Sequence, residues 1–134
     1  GQLGRKLLRV SEVMRSGERS PVVREDTLLS DAIAAITKAR AGAVSVSDAL
    51  GRLTGIFTDG DLRRTMSRNP GLLTARIGEV MTRGPRTIAP DRLASEALGL
   101  LREMKIDELP VVGPRGEPLG MIDVQDLLDV GVAL

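Results

Sequence analysis

The sequence predicts an α/β (α+β) fold made of two β-α-β-β-α repeats related by a pseudo-two-fold axis. The first observation behind this prediction is an internal match, in which residues 55–62 align with residues 120–127 at an offset of 65 residues. The second is that each half combines one amphipathic helical pattern with two short apolar segments. The third is size. A half of about 60 residues buries too little surface to be stable alone, so we expect the two halves to pack sheet to sheet.

The first repeat begins with an extended segment near Pro21. Apolar residues then recur at helical spacing over residues 28–40, and a glycine soon follows. Residues 43–47 and 53–57 predict the two strands of a hairpin, because both are short, apolar and separated by a turn that contains glycine. A threonine and an aspartate can then cap a last helix over about residues 58–68, which an Asn-Pro-Gly sequence ends.

The second repeat follows the same order of elements. Residues 87–88 predict an extended segment, and residues 93–105 carry the helical pattern. Two strands are predicted over residues 109–112 and 119–122, with a Gly-Pro-Arg-Gly turn between them. The final helix is expected to include residues 126–130. Each element of the first repeat therefore has a counterpart in the second.

The repeat boundaries are expected at residues 10–70 and 71–134, with residues 1–9 preceding the first repeat. A Val-Met pair opens each repeat, at residues 13–14 and again at residues 80–81. The offset between these pairs is 67 rather than 65 residues. The first repeat therefore contains two additional residues shortly after its Val-Met pair.

The composition excludes several classes of function. Nineteen basic and 18 acidic residues give a net charge of +1, so nucleic acid is not an expected partner. The chain has no histidine and no cysteine, which removes imidazole bases, thiol nucleophiles and Cys/His zinc sites; we predict no catalytic residue, no metal and no cofactor. No apolar run approaches the ~20 residues that cross a bilayer, and no signal peptide pattern is present. We therefore expect no membrane association and a cytoplasmic location.

Thr58 and Asp61 are the strongest candidates for ligand binding. A helix beginning near residue 59 presents free backbone N–H groups, which suit an anion, and the Thr58 hydroxyl can donate to a phosphate oxygen. The Asp61 carboxylate can accept two hydrogen bonds from a vicinal diol such as that of ribose. The same two residue types are also favoured as helix caps, so the local sequence is compatible with simple capping as well.

The residues described above resemble a known family. Each half carries the β-α-β-β-α order and a Val-Met pair, and residues 55–61 read Gly-h-h-Thr-x-x-Asp, where h is apolar. Together these features resemble a tandem CBS domain, also called a Bateman module. The resemblance implies that the Asp61 site is completed by the other repeat. The residues that it adds there are Thr87, Ala89, Ile106 and Asp107, and Ile56 with Ile106 would enclose a base, although both isoleucines also suit an ordinary core.

The resemblance implies a second, weaker site in the other repeat. There Asp126 matches Asp61, but Asp123 stands where the first repeat has Thr58. Two carboxylates three residues apart repel an anion. Arg24 and Ala43 would belong to the opposing wall, with Arg24 partly compensating the negative charge. Asp123 can also simply cap the last helix.

A narrower resemblance concerns residues 3–14 and 55–64, which are similar to the C-terminal half of bacterial arabinose 5-phosphate isomerases. Those proteins join an N-terminal sugar isomerase domain to a CBS pair, and their product leads to the Kdo sugar of lipopolysaccharide. The resemblance implies that this chain is a regulatory fragment without isomerase activity and that residues 1–9 belong to the linker from the isomerase domain.

Two functions follow as expectations. In the first, an adenine or cytidine nucleotide or a CMP-sugar binds the module and regulates an attached sugar isomerase domain. In the second, the module binds no ligand and mediates oligomer assembly. The family resemblance implies a homodimer or a higher homo-oligomer in either case.

Overall fold

A computed structural model describes residues 7–133 of the chain. Three short 3-10 turns lie between the regular elements, at Gly17–Arg19, Pro70–Thr74 and Ile77–Glu79. The helices are α1 (Val10–Val13), α2 (Leu29–Ala39), α3 (Asp59–Arg68), α4 (Ala94–Met104) and α5 (Val124–Asp129). The strands are β1 (Val22–Arg24), β2 (Ala43–Ser47), β3 (Leu53–Thr58), β4 (Thr82–Arg83), β5 (Glu108–Val112) and β6 (Pro118–Asp123).

The predicted α+β repeats are confirmed. In the first sheet the strand order is β1-β2-β3-β4, with β1 parallel to β2 and the other neighbours antiparallel. In the second sheet β5 and β6 form an antiparallel pair. The extended segment predicted at residues 87–88 is present as a single parallel bridge from Ile88 to Val111. Register shifts occur after Val46 and after Val111, at the same place in each repeat.

The long helices form where the apolar spacing predicts them. Helix α2 buries Leu29, Ala32 and Ile36 on one face, and α4 buries its equivalent face in the second repeat. Both helices end at a residue in the left-handed conformation, Arg40 with φ 52° and Lys105 with φ 55°. This turn reverses the chain and directs it into β2 or β5.

The two repeats exchange their opening segments. Val10 is fully buried in the core of the second repeat, together with α4, β5 and β6. Ile77, its counterpart at the offset of 67, is fully buried in the core of the first repeat. Arg15 pairs with Met121 on β6, and Thr82 pairs with Ile56 on β3, so each opening segment extends the sheet of the other repeat.

The faces of the two sheets that point away from the helices meet at the centre of the molecule. A small cluster of Ala43, Ile56 and Met121 joins β2 and β3 of one repeat to β6 of the other. The turn of the second hairpin also contacts the first hairpin, because the Leu53 amide donates to the Gly116 carbonyl at 2.8 Å. The two repeats are therefore in direct contact through β2, β3 and β6 and through the turn of the second hairpin.

Candidate functional site

A cavity of about 690 Å³ lies between the two repeats beside the N-terminus of α3. Ligand cavities in proteins usually measure about 300–1,000 Å³, so the cavity is large enough for a small organic molecule. It is lined from the first repeat by Ile56, Thr58, Asp59, Gly60, Asp61, Arg63 and Arg64, and from the other side by Thr82, Gly84, Pro85, Arg86, Met104, Lys105, Ile106, Asp107, Glu108 and Pro110. We call this the Asp61 cleft.

Thr58 and Asp61 form a reciprocal cap on α3. The Asp61 amide donates to Thr58 Oγ1 at 3.0 Å, and the Thr58 amide donates to Asp61 Oδ2 at 2.9 Å. Arg64 Nη2 donates to Asp61 Oδ1 at 2.6 Å. The capping interpretation is therefore confirmed. A carboxylate has about four acceptor positions, and the Thr58 hydroxyl proton is not used by the cap, so both groups retain capacity for a ligand.

The structure brings together some of the other predicted residues and leaves two outside. Ile56 and Ile106 both line the cavity, and Asp107 is beside them. Thr87 and Ala89 do not line it. They flank Ile88, which is buried in the core of the second repeat and forms a β-bridge to Val111 on β5. This segment therefore packs against the second sheet instead of the cavity. The preceding residues 84–86 border the cleft instead, because the chain passes its mouth on the way from β4.

The lining of the Asp61 cleft carries charges of both signs. Its basic groups are the side chains of Arg63, Arg64, Arg86 and Lys105, and its acidic groups are those of Asp59, Asp61, Asp107 and Glu108. Burial and, to a smaller extent, the nearby carboxylates of Asp123 and Asp107 together raise the pKa of Glu108 to about 7. The cleft can therefore offer cations to an anionic group and carboxylates to hydroxyl or amino groups of one ligand.

The equivalent region around Asp126 is arranged differently. Arg15 donates to Asp126 through Nε at 2.6 Å and through Nη2 at 3.0 Å, and Asp123 Oδ2 lies 4.0 Å from the same guanidinium. The hydrogen bonds to Asp126 raise the pKa of Arg15 further above its ordinary value. Asp123 also caps α5 by accepting from the Gln125 amide at 2.8 Å, as the alternative interpretation predicts. We call this region the Asp126 cleft because Asp126 and Asp123 are the counterparts of Asp61 and Thr58.

The two residues predicted for the opposing wall of the Asp126 cleft differ in exposure. Arg24 is exposed at the end of β1, and Ala43 is buried in the central cluster. The cation paired with Asp126 is Arg15, which is not among the residues predicted for this cleft. The offset of 67 that aligns the Val-Met pairs also aligns Arg15 with Thr82. This alignment is the sequence feature from which a role for Arg15 could have been predicted.

Comparison with known proteins identifies the family. The family model described as "CBS domain" matches residues 10–68 and again residues 77–133. The chain belongs to the CBS domain family. The predicted resemblance to a tandem CBS domain is thereby confirmed.

Curated relatives extend the similarity. The chain is 41% identical over 133 residues to the arabinose 5-phosphate isomerase KdsD of Yersinia pestis and of Pseudomonas aeruginosa, covering 98% of this chain in both cases. It is 38% identical to the uncharacterized protein RP505 of Rickettsia prowazekii. The chain spans only about 40% of the length of these relatives.

Solved structures show the same fold. An uncharacterized conserved protein from Pyrococcus horikoshii is 28% identical with a TM-score of 0.77, covering 93% of this chain and 54% of that one. The protein CBSX2 of Arabidopsis thaliana, solved in complex with AMP, is 24% identical with a TM-score of 0.75, covering 91% and 94% of the two chains. At this identity the likeness to CBSX2 shows the fold.

Residues 7–133 contain neither a membrane-spanning helix nor a cluster of metal ligands. No helix in this range combines the length and the apolar character needed to cross a membrane. No group of three or more carboxylates in the same range has an arrangement that could hold a metal ion.

Proposed function

We propose that this chain is the regulatory module of an arabinose 5-phosphate isomerase and that the Asp61 cleft binds a nucleotide or nucleotide-sugar effector. The observation that carries the proposal is the cavity itself, which joins a carboxylate of one repeat to basic groups of both. The similarity to KdsD over 98% of this chain supports the link to an isomerase. The structure of CBSX2 with AMP is a precedent for a nucleotide on this fold.

The chemistry of the cleft favours a ribonucleotide. Asp61 is partly buried, and its carboxylate can accept hydrogen bonds from the two hydroxyls of a ribose. Because the acceptor is charged, each of these hydrogen bonds contributes roughly 1.5–3 kcal/mol to binding. Arg86 and Lys105 border the same cavity and can approach a phosphate. Ile56 and Ile106 supply apolar walls for a base, since the chain has only one aromatic residue. These contacts suit an adenine or cytidine nucleotide, or a CMP-linked sugar acid whose carboxylate adds a second anion.

The proposed role sets the organisation of the longer protein. Residues 1–9 form the linker from a sugar isomerase domain, and residues 10–70 and 71–134 are the two CBS repeats. The aldose–ketose chemistry belongs to that other domain, and effector binding biases it. The module works in the cytoplasm as part of a homodimer or a higher homo-oligomer.

The test compares matched variants at the two equivalent aspartates. Isothermal titration of the wild-type chain with AMP, CMP and a CMP-linked sugar acid should give one binding event. Asp61→Asn should raise the Kd at least tenfold, about 1.4 kcal/mol, because the charge that receives the diol is lost while an oxygen remains to cap α3. Asp126→Asn should change the Kd much less. Equal effects of the two variants would contradict the assignment to the Asp61 cleft.

One observation favours a second function, that of an assembly module without a ligand. Both Asp61 oxygens and Thr58 Oγ1 already have partners within the chain. Thermal unfolding separates the two functions. A ligand at 100 times its Kd adds about 2.7 kcal/mol to the free energy of unfolding, whereas an assembly module gains nothing from any nucleotide in the panel.

A further inference from the structure

The Asp126 cleft contains a charged side chain that the proposed function does not use. Arg15 approaches Asp126 with two nitrogens, and its Nη1 donates to the Arg40 carbonyl at 3.4 Å. The Arg15 and Asp126 side chains are only 17% and 19% exposed. A two-pronged guanidinium–carboxylate pair in a largely buried position fixes the side chain in one orientation.

The position of Arg15 has a direct counterpart in the other cleft. Arg15 pairs with β6 as Thr82 pairs with β3, and Asp126 is the counterpart of Asp61. Thr82 is a short, uncharged side chain, and it lines the cavity of the Asp61 cleft. In the Asp126 cleft the longer Arg15 extends from the same position to the aspartate.

The two clefts also differ in the charge of their last helices. Helix α3 carries Arg64 three residues after its aspartate, whereas α5 carries Asp129 at the equivalent place. Asp123 replaces Thr58, and the Glu108 carboxyl lies close to Gly42, with Oε1 2.6 Å from where a Cβ on that glycine would stand. The Asp126 cleft is therefore rich in carboxylates and favours a cation over a phosphate.

We propose that the Arg15 side chain fills the Asp126 cleft. The cleft is then a guanidinium-binding site that a residue of the same chain occupies. Each chain then offers one cleft, the Asp61 cleft, to an external effector. The one-effector stoichiometry rests on the proposed function, whereas the occupancy of the Asp126 cleft by Arg15 does not. Arg15 thus closes the Asp126 cleft to any other cation.

The first test needs no ligand and no change in Arg15. In nitrogen-15 spectra of the wild-type chain, the Arg15 Nε–H should give a separate signal that exchanges slowly with water, because it is held by Asp126. Asp126→Asn should bring this signal into the group of rapidly exchanging arginine signals, while Asp129→Asn should leave it in place. A rapidly exchanging Arg15 signal in the wild-type chain would overturn the proposal.

The second test replaces the tethered cation by a free one. Arg15→Ala should create a site for methylguanidinium, seen as saturable shifts of the backbone amides of Gly42, Gln125 and Asp126, with methylammonium as the weaker comparison cation. The wild-type chain and the Arg19→Ala control should show no such saturation. Saturation in the wild-type chain, or none in folded Arg15→Ala, would show that Arg15 does not fill the cleft.

Nucleotide binding is measured separately from methylguanidinium binding. AMP added to the same samples should shift amides of the Asp61 cleft in both the wild-type chain and Arg15→Ala. Failure of AMP, CMP and the CMP-linked sugar acid to bind would count against the proposed function while the methylguanidinium result still decides the role of Arg15. AMP saturating the Asp126 cleft of the wild-type chain would overturn the occupancy itself.

Discussion

At the scale of single residues, the Glu108 carboxyl lies in the wall between the two clefts. It borders the cavity of the Asp61 cleft, and it is also close to Gly42 and Asp123 on the other side. Asp59, Asp61 and Asp107 add further negative charge around it, while Arg15 is the nearby cation. Glu108 is the counterpart of Ala43, so this charge has no equivalent in the first repeat.

The raised pKa of Glu108 makes stability depend on pH. The pKa rises from an ordinary value of 4.5 to about 7 in the folded chain. Between these values the folded state holds a proton that the unfolded state has lost, so the free energy of unfolding falls as the pH rises from about 4.5 to 7. We expect Glu108→Gln to remove this fall and to stabilise the chain at pH 8 by roughly 1–3 kcal/mol, allowing for the partial exposure of the carboxyl.

Urea unfolding at pH 5 and pH 8 checks the Glu108 prediction. Glu103→Gln on the exposed side of α4 is the matched control and should change stability by no more than about 0.5 kcal/mol at either pH. An equal effect of Glu108→Gln at both pH values would show that the substitution acts through packing rather than through the charge.

At the scale of elements, the ends of the two long helices share a strained conformation. Arg40 and Lys105 have positive φ, which disfavours every residue with a Cβ by roughly 1–2 kcal/mol. The backbone amide of Arg40 donates to the Thr37 carbonyl, and the Ala41 amide donates to the Ile36 carbonyl, so the turn is held by the helix itself. The sequence predicts these helix ends within one residue but does not predict the left-handed turn, because glycine is the usual residue there.

Arg40→Gly should stabilise the chain. Glycine adopts this φ without strain, and part of that gain is offset by its greater freedom in the unfolded chain, leaving about 0.5–1 kcal/mol, or a few degrees in Tm. Lys38→Gly, two residues earlier and inside the helix, should destabilise by about 1 kcal/mol. Thermal unfolding of both variants measures the contrast, and a loss of stability in Arg40→Gly would contradict the account of the helix end.

At the scale of the whole molecule, the repeats are held together by the exchange of their opening segments. Each segment adds to the sheet of the other repeat and packs a methionine against a glycine on the neighbouring strand. Gly55 faces Met81, and Gly120 faces Met14 together with the Arg15 carbonyl. The absence of a side chain on these glycines is what allows the segments to approach, since an added Cβ would come within 3.0 Å of its neighbours.

The two glycines provide a matched pair of substitutions. Gly120→Ala should destabilise by about 2–3 kcal/mol, because its Cβ would meet the backbone oxygen of Arg15, which is held in the sheet. Gly55→Ala should cost less, about 1 kcal/mol, because its Cβ would meet the flexible Met81 side chain. Urea unfolding gives both values. A larger loss in Gly55→Ala would mean that the two opening segments are held differently from the arrangement described.

The sequence by itself determined the repeat, the order of the elements and the caps of α3 and α5. All of these depend on neighbours in the chain: the apolar spacing within one helix, the turn between two strands, or the three residues from Thr58 to Asp61. The match of residues 10–68 and 77–133 to the CBS domain confirms the family that those local patterns resemble. Local chemistry is sufficient for such features because the interacting groups are adjacent before the chain folds.

Only the tertiary structure decided which segments meet. Arg15 and Asp126 are 111 residues apart, and their contact depends on the sheet edge to which the opening segment adds. The same exchange places Thr82 in the Asp61 cleft and explains why residues 84–86, rather than Thr87 and Ala89, border it. No local pattern encodes that choice of edge, since either repeat offers a similar strand. The choice follows from the burial of Val10 and Ile77 in each other's repeats, which is a property of the complete fold.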